Sequence, residues 1–215
     1  MMFSKEYIRK CLAVVPSVII AALGVVLFVK SHTGSDPLTM FEIALSEKLG
    51  WTFGTASLVF EGLLFVVFFF INRKLIGFGS FAYAFGIGPA IDMFTPIVDN
   101  IFPAEASFAL NAFYIISGTI LICFALAYYI PMDMGYQTSD ILTLSITEWF
   151  HIRYGISHII VYATFFTIAF FMGGPWGIGT VIAVLTYGPL IDWMMGHTAP
   201  FSRKIAGIPE PVKES

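Results

Sequence analysis

The second half of this chain restates the first. Residues 34–70 lie on 135–171 without a gap, so that Gly34 meets Gly135, Glu47 meets Glu148, Gly54 meets Gly155, and Phe65, Phe69 and Phe70 meet Phe166, Phe170 and Phe171. One residue then drops out. Beyond it Gly77-Phe78-Gly79 meets Gly177-Ile178-Gly179, and Gly88-Pro89-Ala90-Ile91-Asp92 meets Gly188-Pro189-Leu190-Ile191-Asp192. Each copy holds three long apolar segments. A unit with an odd number of membrane crossings, repeated along one chain, inserts the second time upside down, as in transporters built from inverted repeats.

The apolar segments must be membrane spans rather than a soluble core. Hydrophobic residues make up 58% of the chain and charged residues 12%, against roughly 45–50% and about 25% in soluble domains. The expected architecture is therefore an all-α membrane protein of six transmembrane helices, arranged as two inverted three-helix repeats. A helix needs about 20 residues to cross the hydrocarbon core, which places spans near 11–30, 53–71, 75–94, 107–130, 154–173 and 176–195. The first repeat covers 1–102, the second 103–200, and 201–215 reads as a cytoplasmic tail. The first span follows Lys5, Arg9 and Lys10 as a signal peptide would. Its apolar run exceeds the 7–15 residues of such a peptide, and it has a counterpart in the second half, so it reads as a retained helix.

Orientation follows from the basic residues. With the N-terminus inside, only Lys30 and Lys48 of the 11 Lys and Arg fall on the outer side. Cytoplasmic loops hold such an excess, so both termini are expected in the cytoplasm of a multi-pass plasma-membrane protein. Nothing resembles a nucleic-acid surface. Cys11 and Cys123 form no metal or disulfide pattern, and Cys123, inside an apolar run, reads as a small hydrophobe.

Between the first two spans of each half lies a short helix. In the first copy Asp36 is placed to cap it and Pro37 suits the first helical position. Leu38, Phe41, Leu45 and Leu49 recur at helical spacing, with Thr39, Glu42 and Ser46 elsewhere on the wheel. In the second copy Thr138 or Ser139 is the expected cap, with Leu142, Ile146, Trp149 and Phe150 on one side. At about a dozen residues these helices are too short to span. The sequence leaves two placements open for 35–50 and 137–151: amphipathic along the interface, or re-entrant, with N-termini directed at a polar or anionic substrate.

The third span of each copy is rich in small residues, which let membrane helices pack closely. Its Gly-Pro pair, Gly88-Pro89 or Gly188-Pro189, reads as a late helix break beside Asp92 or Asp192 that would serve a gate. Capping or loop anchoring accounts for the two aspartates equally well.

Ionisable groups at membrane depth are costly and mark function. Glu61 falls at the middle of the second span, and its repeat mate is Tyr162, so only one copy carries the acid. It is a candidate proton carrier or substrate ligand, with hydrogen bonding between helices as the plainer role. His158 lies opposite Ser57 and would titrate or pair with an acid. The candidate substrate or proton site is Glu61, His158, Tyr162 and Asp36. Glu47 and Glu148 are a matched acid pair for gating, or inherited surface charge. His32, His151, His158 and His197 are scattered and make no metal motif, and no catalytic residue, metal or cofactor is expected.

The segments Gly34-Ser35-Asp36-Pro37-Leu38-Thr39, Phe53-Gly54-Thr55, Gly77-Phe78-Gly79-Ser80 and Gly88-Pro89-Ala90-Ile91-Asp92, with their echoes, resemble the YczE/YitT-like family of bacterial integral membrane proteins. The likeness runs from about residue 15 to 195. It implies a multi-pass bacterial plasma-membrane protein and assigns no binding residues. The expected function is transport of a small polar or charged solute by alternating access, with a proton as a coupling ion. A substrate-binding subunit of a larger importer and a non-transporting accessory factor are the alternatives, so the partners are the bilayer and an unknown small molecule, with a second copy or a membrane subunit left open.

Overall fold

A computed structural model describes residues 5–102, 107–152 and 154–208, without the side chains of residues 154 and 155. Its elements run α1 (Lys5–Lys30), α2 (Pro37–Leu49), α3 (Phe53–Ile71), α4 (Phe78–Ile101), α5 (Phe108–Tyr129), α6 (Thr138–Phe150), α7 (Tyr154–Met172) and α8 (Ile178–Ala206). Among the described residues there is no strand, and five helices are long and apolar enough to cross a membrane: α1, α3, α4, α8, and α5 with the 3-10 turn that prolongs it to Met132. In α7 the apolar run is Ile156–Met172.

The order long, short, long, long recurs, and the two copies clasp one another by reciprocal contacts. The backbone N–H of Gly79, at the start of α4, donates to the carbonyl of Met134 at 2.7 Å. Its repeat counterpart, the N–H of Gly179 at the start of α8, donates to the carbonyl of Thr33 at 2.8 Å. Gly34 and Gly135 make the approach close enough. Their φ angles are +99° and +94°, and a Cβ on either would fall within 2.6 Å of the backbone nitrogen of Gly177 or Gly77. Only glycine meets both demands, which explains why this pair stands out in the sequence.

Helix α1 is the centre of the bundle and packs on α4, α5 and α8. The core around it includes Val14, Val18, Phe28, Tyr83, Tyr114 and Tyr129, all nearly inaccessible. A second cluster forms where α2 meets α7 and α3: Leu38, Val161 and Phe165 are buried beside Phe41 and Phe60. The rings of Phe41 and Phe60 lie 4.7 Å apart, and Phe165 is 5.6 Å from the first and 5.8 Å from the second. Such offset and edge contacts add about 0.5–1.5 kcal/mol each beyond burial.

Three expectations need correction. Neither Gly-Pro pair breaks its helix: α4 continues past Pro89 to Ile101 and α8 past Pro189 to Ala206. Both prolines are exposed, and the ladder tolerates one missing N–H where neighbouring turns adjust. Hence Asp92 and Asp192 lie within helices rather than at span ends. The supposed tail likewise begins as helix, because α8 includes residues up to Ala206, and 209–215 lie outside the described residues. Finally, the residue capping α6 is Gln137, without a side-chain cap bond, while Thr138 and Ser139 belong to the helix. The repeat register dictates this, since Gln137 occupies the place of Asp36.

Candidate functional site

Helices α2 and α6 enter the protein N-terminus first. Pro37, Leu38, Thr39 and Met40 are buried, whereas Glu47, Lys48 and Leu49 at the other end are exposed; α6 grades the same way from Thr138 to Phe150. An interfacial helix would expose one face along its whole length. The polar stripe of α2 also faces inward: Thr39, Glu42 and Ser46 are buried alongside Leu38, Met40 and Ala44, while Leu49 is exposed. Asp36 caps α2 as expected, its carboxylate accepting from the N–H groups of Leu38 and Thr39, each at 3.2 Å.

These inserted N-termini meet at a small inner chamber of about 70 Å³. Its polar wall comprises Asp36, Glu42, Ser57, Glu61 and Gln137, faced by Tyr83, Tyr162 and Tyr187. Much of the lining falls into repeat pairs: Asp36 with Gln137, Glu61 with Tyr162, Ala21 with Ile122, Ile87 with Tyr187. The chamber therefore sits where the two copies face each other. Glu61 and Glu42 are 2% and 4% exposed, and one carboxylate oxygen of each has no hydrogen-bond partner. The hydroxyls of Tyr83 and Tyr187 are also unpartnered. Unpaired buried polar atoms are uncommon in native proteins and ask for an explanation.

A larger cavity of about 750 Å³ adjoins the chamber, between α7 and α8, a size suited to a small molecule (roughly 300–1,000 Å³). Asp36, Leu126, Gln137, Tyr162 and Tyr187 line both spaces and form the neck between them. The outer walls are mainly apolar, with Ile159, Ala163, Phe166, Val181 and Val184, together with His158 and Asp192. His158 stacks on Tyr162 with ring centroids 4.1 Å apart.

The outer cavity exists because one contact of the first copy is not made in the second. In the first copy α3 packs directly on α4. Gly54 and Gly88 bring the backbones together, so that a Cβ on Gly88 would fall 2.2 Å from the carbonyl oxygen of Gly54. Asp92 locks this crossing, accepting from the Gly54 N–H at 2.9 Å and the Thr52 hydroxyl at 2.6 Å. A carboxylate at a helix N-terminus is favourable there. In the second copy α7 packs on α2 and α6 instead of α8. A Cβ on Gly188 would meet nothing within 4 Å among the described residues, and Asp192 is exposed.

Of the residues singled out from the sequence, the chamber and its neck collect Glu61, Tyr162 and Asp36, while His158 lines the outer cavity. Gly88 and Asp92 belong to the closed clasp, and Gly188 and Asp192 line the open side. The matched acids part company: Glu47 is exposed, whereas Glu148 accepts from Lys74 Nζ at 2.8 Å and Asn72 Nδ2 at 3.1 Å. The Lys74 bond, then the Asn72 bond, hold the Glu148 carboxyl below its ordinary range. Glu42, Gln137, Tyr83 and Tyr187 were not anticipated. Two of them had a signal: Gln137 is the repeat mate of Asp36, and Glu42 shares a stripe with Thr39 and Ser46.

Residues 8–196 match a family of unknown function, DUF6198. The chain belongs to this family. It is 30% identical to the uncharacterized protein YyaS of Bacillus subtilis over 179 residues, 83% of this chain and 88% of that one. It is 27% identical to the uncharacterized membrane protein YczE of the same organism over 185 residues, 82% and 81% of the two chains. An uncharacterized protein of Haemophilus influenzae is 24% identical over 180 residues, 84% of this chain and 80% of its own. No solved structure matches. The resemblance to YczE-like proteins read from the glycine motifs is thus upheld, and with it the assignment to a multi-pass membrane protein.

Proposed function

We propose that the protein is a small-solute transporter, not an enzyme, that works by alternating access between two inverted repeats of three spans each, with α7 as the sixth span. The observation that carries this reading is the unequal clasp. The same Gly, Gly and Asp positions are closed between α3 and α4 and open between α7 and α8. A second state in which α7 closes on α8 and α3 leaves α4 would reverse access to the chamber between them. The reciprocal contacts of Gly79 and Gly179 would serve as the pivot. The excess of basic residues at the termini and the α3–α4 connection supports a cytoplasmic side for those segments in a bacterial plasma membrane.

The test is a disulfide that only the second state permits. The register of Leu58 and Gly88, which touch across α3 and α4, is Ile159 and Gly188 in the second copy. Ile159→Cys with Gly188→Cys, in a chain with Cys11 and Cys123 replaced, is expected to cross-link in native membranes, since bridging needs Cα atoms within about 7 Å. Solute uptake should stop on oxidation and return on reduction. A pair that never cross-links rules out the second state and with it alternating access.

A further inference from the structure

We propose that the inner chamber binds the head of an amphipathic organic cation, an ammonium or guanidinium group with N–H donors, while the outer cavity takes its apolar tail. This deepens the transporter reading and rests on it only for movement across the membrane; binding stands by itself.

The charge inventory comes first. Three carboxyl groups, Asp36, Glu42 and Glu61, line the chamber, and neither Lys nor Arg lines the chamber or the outer cavity. The ion pairs among the described residues, Lys10 with Glu6, Lys30 with Asp99 and Lys74 with Glu148, use none of these acids. A buried carboxylate without a counter-charge is strongly unfavourable, so a positive group is what the wall lacks. The N-terminus of α6, without a side-chain cap, would favour an anion, but three carboxyl groups on the wall oppose one and Asp36 already occupies the N-terminus of α2.

The second observation is independent of charge. One oxygen each of Glu42 and Glu61, both more than nine-tenths buried, lines the chamber without a hydrogen-bond partner. So do the hydroxyls of Tyr83, fully buried, and Tyr187. The carboxylate oxygens accept, whereas the tyrosine hydroxyls both donate and accept; spread around one space, the carboxylate oxygens ask for a ligand with several N–H donors. No three His, Cys, Asp or Glu among the described residues converge closely enough to hold a metal ion, and the spread of the acceptors suits an extended organic group. Tyr83, Tyr162 and Tyr187 add aromatic faces, which attract desolvated cations. Size agrees: about 70 Å³ exceeds the roughly 10–15 Å³ needed by one water and suits a cationic head alone. The neck at Asp36 and Tyr162 leads to walls of Ile159, Phe166, Val181 and Val184, which suit a hydrocarbon or aryl tail.

The experiment compares three probes of one shape by titration calorimetry on the detergent-purified protein: phenethylammonium, 2-phenylethanol and 3-phenylpropanoate. The cation is expected to bind at least about tenfold more tightly than the alcohol, and the carboxylate not at all. Glu61→Gln and Glu42→Gln should each weaken the cation by about tenfold or more and leave the alcohol unchanged. The probe series on the unaltered protein needs no variant to fold. Equal binding of cation and alcohol, or preference for the carboxylate, overturns the cation assignment and leaves the transporter reading intact. No binding of any probe to roughly 10 mM overturns the chamber as a cation site, and the α7–α8 cross-link still decides the transporter reading separately.

Discussion

Two alanine substitutions at matched positions should have opposite consequences. A Cβ on Gly88 would sit 2.2 Å from the carbonyl oxygen of Gly54 and 2.8 Å from the backbone nitrogen of Leu58. Both are backbone atoms, so α3 and α4 must separate, and overpacking of this kind costs about 1–3 kcal/mol. At about 2–4 °C per kcal/mol for a chain of this size, Gly88→Ala should lower Tm by roughly 2–12 °C. A Cβ on Gly188 meets nothing described within 4 Å, so Gly188→Ala meets no obstacle in the present state, where alanine in place of a mid-helix glycine adds about 0.5–1 kcal/mol. It obstructs only the state in which α7 closes on α8. Losing one of two equally populated states costs RT ln 2, about 0.4 kcal/mol, and less if that state is minor. Against the gain in helix propensity, the net shift is expected between zero and about 4 °C upward, accompanied by loss of transport and retention of ligand binding. The assay is reversible thermal unfolding in detergent, followed by uptake into proteoliposomes. Equal Tm losses in the two variants, or none in Gly88→Ala, would refute the argument from the unequal clasp.

Asp92→Ala removes the cap that α3 receives from α4 and should cost about 1–2 kcal/mol, whereas Asp192→Ala should stay within about 0.5 kcal/mol; thermal unfolding of the pair checks both. Gly34→Ala and Gly135→Ala put a side chain on left-handed backbone, each costing at least about 1–2 kcal/mol, and an unchanged Tm in either would show the clasp to be looser than described. The Glu148–Lys74 pair gives a pH signature. Because its carboxyl is held low, its stabilisation is fully present above the unfolded value near 4.3 and is lost as pH falls through the lower folded value. The Tm difference between wild type and Glu148→Gln should be constant from about pH 7 to 5 and close below that, while a gap that persists in acid would assign Glu148 no role through its charge.

Helix placement was legible because two independent signals coincide in this chain, long apolar runs and a repeat that gives each run a counterpart. The start of α2 falls where the cap Asp36 predicts. The ends of α4 and α8 were misjudged because Pro89 and Pro189 read as breaks by rules made for water, where a freed carbonyl has solvent to turn to. Inside the bundle the helix is the best arrangement for the remaining backbone groups, so it continues. The polar stripe of α2 went unread. Leu38, Phe41, Leu45 and Leu49 were the obvious stripe, and its start is buried at Leu38 and half-buried at Phe41 while Leu49 is exposed; the stripe Thr39, Glu42 and Ser46 is buried as well. Glu61 was found because a single acid in an apolar span is conspicuous. Glu42 was not, because it lies on a helix with polar neighbours.

The repeat also explains why the site's chemistry is confined to one copy. In a chain of two facing halves, a residue on the wall of the central chamber looks toward its own repeat mate. Glu61 and Tyr162 line the same small space, as do Asp36 and Gln137. Were the copies identical, Asp36, Glu42 and Glu61 would each be doubled around a chamber of about 70 Å³ that already holds three acids, and like charges so close disfavour one another's ionisation. Positions that shape the scaffold, such as Gly34 with Gly135 or Asp92 with Asp192, can stay matched because each acts within its own surroundings. Positions that carry charge at the centre must diverge. The break in symmetry at Glu61 and Tyr162, visible in the sequence, therefore marks the place where the two halves meet.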